Sequence, residues 1–260
     1  MLRRGTYFQR NLFEDLPMTT PETPVPAAPK RIPFVTDAIR LARVLFSPGA
    51  VFEEQREKPT VWIPWLLLSV LMVAVTLVNM PVTRQAMRLG AEARGQPMPA
   101  AAESIAMVST VVIIPLFLLI MILVSAGIMY LVLLATGGEV RFKGLMCTAT
   151  FASIVGVLQL VLVAIVLKLR GPEGIRTAAD MQVSFGLDLL LPADASLPKF
   201  VEGLLRGVSP FSLWSLALMA FGVHAVEKQT KGAAWSAATG SFLVSLVIGA
   251  FFAGLGGGSR

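Results

Sequence analysis

The feature that most constrains this chain is a set of long stretches without any Asp, Glu, Lys or Arg. There are five, at residues 59–83, 104–138, 144–167, 207–226 and 232–259. A helix needs about 20 apolar residues to cross the hydrocarbon core of a bilayer. The stretches therefore predict an all-α, polytopic membrane bundle with five transmembrane helices, at about residues 61–80, 108–135, 144–167, 209–226 and 232–254.

The composition supports a membrane protein and restricts its partners. Apolar residues make up 55% of the chain and charged residues 15%, whereas soluble domains carry about 25% charged residues. The 22 basic and 16 acidic residues give a net charge of +6, but the basic residues form no block or stripe. That distribution argues against nucleic acid and favours the lipid bilayer, with its anionic head groups, as the partner. The single cysteine, Cys147, is expected to be a small buried apolar residue.

The chain divides into four segments. Residues 1–33 form a Pro-rich leader that we expect to be disordered, and residues 34–58 form juxtamembrane helices. Residues 59–255 form the membrane domain and residues 256–260 a short tail. The first 17 residues contain no apolar core of the about 7–15 residues that a signal peptide requires, and Met18 is as reasonable a start as Met1.

Residues 34–46 predict an amphipathic helix that lies in the membrane interface. It carries two neighbouring apolar stripes, which consist of Phe34, Ala38, Leu41 and Leu45, and of Val35, Ile39, Ala42 and Phe46. We expect Arg40 and Arg43, on the other side, to face lipid head groups while Phe34, Leu41 and Leu45 insert. The alternative is that the helix packs on the protein's own loops. Trp62 and Trp65 open the first span and mark the interface, because tryptophan prefers the head-group layer.

The distribution of basic residues predicts the orientation of the bundle. If the N-terminus is cytoplasmic, 13 of the basic residues lie in the cytoplasm and nine lie outside. The positive-inside rule then favours a bacterial cytoplasmic membrane protein with its N-terminus inside and its C-terminus outside.

Three polar side chains within the predicted spans form a possible intramembrane site, namely Asn79, Gln159 and His224. His224 lies one helical turn before Glu227, which could act as its partner in proton transfer. The simpler interpretation is an interfacial histidine stabilised at a helix C-terminus. Gln159 is expected to bond a neighbouring helix rather than to line a solute path.

The fifth span contains a row of small residues at four-residue spacing, which predicts close helix packing. The row consists of Ala233, Ala237, Ser241, Ser245, Gly249 and Ala253. Packing within the bundle is the simpler interpretation, and a homo-oligomer interface is the alternative.

The sequence contains no motif that points to an active site. It has no phosphate-binding glycine loop, no HExxH, no metal-ligand spacing and no Ser-His-Asp order. We therefore predict no catalytic residue, no cofactor and no metal.

Several segments together resemble the prokaryotic branch of the Yip family, the Ypt/Rab-GTPase-interacting membrane proteins. They are residues 45–52, Trp62 with Pro64, Gly137-Gly138 with Phe142 and Leu145, residues 209–214, Gly222, and residues 228–240. The resemblance implies a five-helix membrane domain with a cytoplasmic N-terminus, and it supplies no catalytic residues. The Asp-Leu-Tyr-Gly-Pro segment typical of eukaryotic members is absent, which argues against small-GTPase binding.

These observations favour a non-enzymatic membrane protein that acts in membrane organisation or as an interaction scaffold, with other membrane proteins or a second copy as partners. A small-solute transporter or permease subunit is the first alternative, if Asn79 and Gln159 face one cavity. An intramembrane enzyme that uses His224 and Glu227 is the second.

Overall fold

The computed structural model describes residues 33–92, 95, 99–174, 178–192 and 197–256. The predicted Pro-rich leader, apart from Pro33, and residues 257–260 of the predicted tail lie outside the described residues. Within those ranges the chain forms α-helices and short 3-10 turns and no strand, which confirms the all-α prediction.

Two short helices precede the membrane domain. Helix α1 spans Pro33–Arg43 and α2 spans Pro48–Glu54. Pro48 stands in the first turn of α2, where its missing N–H costs nothing. Val51 and Phe52 on α2 are fully buried, and the Phe52 ring packs edge-on against Phe151 with 6.3 Å between centroids. Helix α2 therefore closes one end of the bundle.

The first span bends sharply where α3 (Trp62–Val78) meets α4 (Met80–Glu92). The two helix axes differ by 64°. Pro81 lacks a backbone N–H, and Asn79 Nδ2 donates to the Val75 carbonyl at 2.9 Å, so the main-chain hydrogen bonds of a straight helix are interrupted here.

Helix α5 (Ala100–Ala135) contains 36 residues and has Pro115 in its interior. At 1.5 Å per residue it is about 54 Å long, well beyond the roughly 30 Å hydrocarbon core. The Trp65 indole N–H donates to the Pro115 carbonyl at 3.2 Å and ties α3 to α5. Gly137, at a φ of 76°, turns the chain into the next span.

The third span consists of α6 (Phe142–Ala152) and α7 (Ile154–Arg170). Ser153 lies between them and donates its hydroxyl to the Ala149 carbonyl at 2.8 Å, a bond that often bends helices. Together the two helices form a stretch of 29 residues that is long and apolar enough to cross a membrane.

The last two spans follow a short helix. Helix α8 (Lys199–Gly207) meets α9 (Pro210–Glu227) at 58°, and α10 spans Lys231–Gly256. A reciprocal capping box starts α9: Ser209 Oγ accepts from the Ser212 N–H, and Ser212 Oγ accepts from the Ser209 N–H.

By length and composition, three stretches can span a membrane by themselves: Ser104–Ala135, Phe142–Arg170 and Lys231–Gly254. The number rises to five if each of the two bent pairs, α3–α4 and α8–α9, is one span. Large apolar side chains cover the outside of these helices, among them Val112, Leu131, Leu243 and Phe252. The architecture is thus a helical membrane bundle, with five spans when the bent pairs are counted.

The helix ends gather at two faces of the bundle. The α2 face carries α2, the start of α3, the α5–α6 link and the α9–α10 link, which hydrogen bonds join to one another. The α8 face carries α8, the start of α9 and the end of α10, whose helices pack closely at Gly203 and Ala250. The core between the faces is apolar and includes the buried side chains of Leu68, Ile122, Met129, Leu133 and Leu145.

Candidate functional site

A buried ion pair lies at the centre of the α2 face. Glu227, the last residue of α9, accepts a hydrogen bond from the Arg141 backbone N–H at 2.8 Å. Its other carboxylate oxygen lies 3.3 Å from Arg141 Nη2. The Glu227 side chain is only 3% exposed, whereas that of Arg141 is 51% exposed. Arg141 therefore neutralises a carboxylate that water scarcely reaches, which buried acids require.

Two arginines connect this ion pair to the residues that follow α2. We call the connected groups the polar junction. Arg141 Nη2 donates to the carbonyls of Val226 at 3.0 Å and Arg56 at 2.8 Å. Arg56 Nε in turn donates to the Ala225 carbonyl at 2.8 Å. The last carbonyls of a helix lack partners within it and carry partial negative charge. The two guanidinium groups supply those partners for α9 and so join three separate segments of the chain.

Gln229 joins the α9–α10 link to the α5–α6 link. Its Nε2 donates to the Glu139 carbonyl at 3.1 Å and to the Glu227 carbonyl at 3.3 Å. Its own carbonyl lies 2.6 Å from His224 Nδ1. A Cβ at Gly138 would lie 2.8 Å from Gln229 Oε1, so a side chain at position 138 would displace the end of Gln229.

Glycines allow the helices to approach closely beneath the junction. A Cβ at Gly144 on α6 would overlap the Glu227 carboxylate, and one at Gly222 on α9 would overlap Thr148 and lie 3.0 Å from Phe52 Cζ. Sequence reasoning did not single out Arg56, Arg141, Gly144 or Gln229. The available signal was the glycines at 137, 138 and 222, but it did not show which distant residues they approach.

A second polar cluster lies between α1 and α2. Arg40 bridges Asp37 at 3.1 Å and Glu54 at 2.9 Å, and Arg43 binds the same Glu54 at 3.1 Å. Hydrogen bonds from Arg40, and then from Arg43, lower the pKa of the Glu54 carboxyl below its ordinary value despite partial burial. We predicted that both arginines face lipid head groups. In the structure both guanidinium groups are held by Glu54 and Arg43 is half exposed, so contact of the two arginines with head groups stays a prediction.

Gln55 lies under this cluster and is completely buried. Its Oε1 accepts from the Thr60 N–H at 2.8 Å and the Thr60 hydroxyl at 3.0 Å, and Cys147 Sγ lies 3.7 Å away. Cys147 is buried, as expected from the sequence. Core packing therefore explains the position of Cys147 without a role as a reactive thiol.

The two apolar stripes of residues 34–46 differ in burial, although Phe34 of the first stripe is as exposed as Val35 of the second. Leu41 is buried in the protein core, so the predicted insertion of Phe34, Leu41 and Leu45 into lipid is wrong for Leu41. The second stripe is exposed along its whole length, at Val35, Ile39, Ala42 and Phe46. We call these four residues the apolar ridge. The helix therefore packs on α2 and α3, whereas the alternative interpretation proposed packing on loops, and it also presents an apolar surface outward.

The predicted intramembrane polar residues do not form one site. Asn79 bonds the Val75 carbonyl at the α3–α4 bend, Gln159 is half-buried on α7, and His224 bonds the Gln229 carbonyl. Across the part of the chain that the structure describes, no hydrogen bond joins any of the three to another, and none joins His224 to Glu227. The carboxylate that was considered as the proton-transfer partner is bound to Arg141 instead.

The two tryptophans of the first span have different surroundings. Trp62 is exposed, whereas Trp65 is partly buried and bonded to α5. Their rings pack edge-on with 6.1 Å between centroids. Trp62 is therefore free to meet the membrane interface, and Trp65 also serves helix packing.

The small-residue row of α10 is packed along only part of its length. Ala237 and Ser241 are fully buried, Ala233 and Ser245 are half-buried, and Gly249 and Ala253 are exposed. A Cβ at Gly249 would meet nothing within 4 Å. A row at four-residue spacing winds around a helix with 3.6 residues per turn, so its second half leaves the packed face. The buried positions follow the helical period instead, at Ala234, Ala237, Ala238, Ser241 and Ala250.

The bundle and its polar junction define a multi-pass helical membrane protein with tightly joined helix ends on one face. This chain belongs to the Yip1 family, since residues 42–255 match the Yip1 domain, and the resemblance found in the sequence is confirmed. It is similar to the membrane protein YknW of Bacillus subtilis (strain 168), with 24% identity over 233 residues that cover 85% of this chain and 92% of the relative. No solved structure matches the chain.

Proposed function

We propose that this protein is a non-enzymatic membrane-organising protein of the bacterial cytoplasmic membrane. In this proposal α1 and α2, which we call the platform, lie in the surface of the cytoplasmic leaflet, and the apolar ridge inserts between its lipids. The observation that carries the proposal is the apolar ridge, which faces outward while Asp37 and Arg40 of α1 are bound within the protein.

Residues 33–46 bury Leu41 and Val44 against the protein and expose a further row of apolar side chains. Asp37 is 2% exposed and Arg40 is bound on two sides, whereas Phe46 is 84% exposed. The side chains of Val35 and Ile39 are 50% and 49% exposed. Soluble surfaces rarely present contiguous apolar side chains of this size, and those that do mark an interaction site. The platform adjoins the exposed Trp62 at the start of the first span, so the nearest apolar environment for the ridge is the lipid of the membrane interface.

The platform is fixed firmly to the bundle. Val51 and Phe52 are buried, and α2 packs against α9. The Phe52 ring contacts Phe151 on α6, and Arg56 bonds the end of α9. The Glu54 carboxylate holds both arginines of α1, so α1 is tied to α2. Because the platform is fixed, the inserted ridge would stay at one depth in the leaflet, unlike a freely moving tail, and would push lipids of that leaflet apart. We call this effect the wedge.

The charge distribution supports a cytoplasmic position for the platform. With the α2 face inside, 13 basic residues lie in the cytoplasm and nine outside. The positive-inside rule favours that orientation. The C-terminus of α10 then lies at the outer side.

The proposal can be tested by the surroundings of a spin label on the ridge. The full chain, with Cys147 replaced by Ala, carries a nitroxide at Ile39→Cys or at the matched control Glu53→Cys on the exposed charged side of α2. In reconstituted bilayers we expect collisions with apolar oxygen to dominate at position 39 and collisions with a water-soluble nickel complex to dominate at position 53. A label at 39 that collides mainly with the nickel complex would overturn the lipid assignment.

Shielding of position 39 from both reagents would show a protein partner, for example a second copy, and would also overturn it. The organising activity itself is tested on vesicle shape. We expect the parent chain to shift reconstituted vesicles toward smaller radii and an Ile39→Glu, Phe46→Glu double variant to lose that shift, while Glu53→Gln keeps it. Equal radii for the parent and the double variant would refute the wedge.

A further inference from the structure

A cavity of about 270 Å³ lies between α5, α8, α9 and α10 toward the α8 face. Serines and glycines make up much of its wall, together with the apolar side chains of Met219, Phe242 and Leu246. Among the described residues, no Asp, Glu, Lys, Arg or His takes part in the lining. We infer that this cavity binds the uncharged ester-linked glycerol group of a diacyl lipid, a role separate from that of the platform.

The hydroxyl groups of the cavity are available for a ligand. Of its four serines, Ser212 is occupied by the capping box with Ser209. The other three are half-buried, and among the described residues none of them has a hydrogen-bond partner: Ser125, Ser215 and Ser245.

Several other hydroxyls of the bundle are bonded within their own helix. Thr76, Thr110 and Thr150 donate to the carbonyl four residues earlier, as helical Ser and Thr commonly do in apolar surroundings. Ser69 and Ser241 also lack a partner, but they are sealed among neighbouring side chains. Three open hydroxyls around one cavity can therefore bind the oxygens of a molecule inside it, whereas lipid tails offer them no partner.

The remaining wall indicates the kind of molecule. An uncharged lining would leave a phosphate or an ammonium group without a counter-ion, which is costly away from water. Hydroxyls beside Met219 and Phe242 suit a ligand with ester or hydroxyl oxygens joined to apolar chains. The glycerol-ester region of a lipid has this chemistry, and a free polyol shares only its polar part.

The wall is open at Gly249. This residue is exposed, a Cβ there would meet nothing within 4 Å, and the apolar Phe252 lies close by on the exposed side of α10. A lipid can therefore enter from the bilayer with its acyl chains lying along α10. A leucine at position 249 would occupy this opening.

The test uses the full chain in nanodiscs with a photoactivatable diacylglycerol. We expect the probe to crosslink to peptides from residues 210–256 in the parent and in the control Gly156→Leu, whose Cβ also meets nothing within 4 Å but lies on α7. Gly249→Leu and the triple variant Ser125→Ala, Ser215→Ala, Ser245→Ala are expected to lower the crosslinking at least about tenfold, which corresponds to about 1.4 kcal/mol of binding free energy.

Three outcomes would overturn the inference. They are unchanged crosslinking in the triple variant, crosslinking confined to helices that do not line the cavity, and loss of crosslinking when excess free glycerol is added, which would identify a soluble polyol as the occupant. The thermal midpoint of each variant is measured in parallel. If Gly249→Leu fails to fold, the triple variant decides, because Ser→Ala removes only hydroxyls.

Discussion

Glu227 occupies the space that a side chain at Gly144 would need. A Cβ built on Gly144 overlaps the Glu227 carboxylate and lies 3.0 Å from Val226 Cγ1. The carboxylate is held there by the backbone and guanidinium of Arg141. Close approach of α6 to α9 and burial of the ion pair therefore depend on each other.

This relationship predicts a large effect from one added methyl group. Gly144→Ala should displace Glu227 and lower the free energy of unfolding by about 1–3 kcal/mol, as overpacking typically does. The control is Gly156→Ala on α7, where the added Cβ meets nothing within 4 Å. Alanine favours helix over glycine, so the control should be neutral or slightly stabilising. The measurement is the midpoint of thermal aggregation in detergent. Equal midpoints for the two variants would contradict the proposed contact.

The ion pair itself can be tested by removing its charge. Glu227→Gln keeps the size of the side chain but leaves Arg141 with a weaker acceptor, and we expect a loss of about 1–3 kcal/mol of unfolding free energy. Glu139→Gln on the same face is the control, because its side chain is exposed and only its backbone carbonyl bonds Gln229. If the two variants unfold at the same denaturant concentration, the Glu227 charge does not stabilise the junction.

The topology predicts opposite accessibility for α2 and α8. Single cysteines are placed at Glu53 and at Lys199 in a chain with Cys147→Ala. A membrane-impermeant maleimide should label position 199 from outside intact cells, and position 53 only in inside-out vesicles. With five spans the α2 face and the α8 face lie on opposite sides of the bilayer. Labelling of both positions from one side would disprove this arrangement.

The contact between α1 and α2 should weaken at acid pH. The hydrogen bonds from Arg40 and Arg43 lower the pKa of the Glu54 carboxyl. The contribution of Glu54 to stability is therefore fully present at pH values above the ordinary glutamate pKa, about 4.3. It is lost as the pH falls below that value and passes through the lower pKa of the folded state. A nitroxide at Ala42→Cys should become more mobile over this window.

The matched variants for that measurement are Glu54→Gln and Glu53→Gln. Glu54→Gln should raise the mobility of the label at neutral pH and remove the part of the pH response that Glu54 causes. Glu53→Gln should resemble the parent. An unchanged response in Glu54→Gln would assign the acid effect to another group.

The packed face of α10 predicts different effects for large residues along one helix. Ser241→Leu should destabilise the bundle by about 1–3 kcal/mol, because Ser241 is fully buried. Gly240→Leu should also destabilise it, since a Cβ there lies 3.1 Å from Val132 Cγ2. Gly249→Leu should unfold with the parent, because its Cβ meets nothing within 4 Å. Thermal midpoints in detergent give the comparison, and a destabilised Gly249→Leu would mean that this end of α10 is packed.

The sequence by itself determined that the chain is a helical membrane bundle and that an amphipathic helix precedes it. Hydrophobic length and periodicity are local properties, so a long apolar helix such as Lys231–Gly254 follows from its own residues. The family was also readable, because its short motifs keep their order along the chain.

Only the tertiary structure decided which surface each of these helices buries. Arg40 and Glu54 are 14 residues apart, and Arg141 and Glu227 are 86 apart, so no local pattern could pair them. The same holds for α1, where two adjacent apolar stripes were equally suited to lipid until the bundle covered Leu41 and left Phe46 exposed. Composition sets how much apolar surface a helix carries, but its neighbours in space determine which part of that surface lipid can reach.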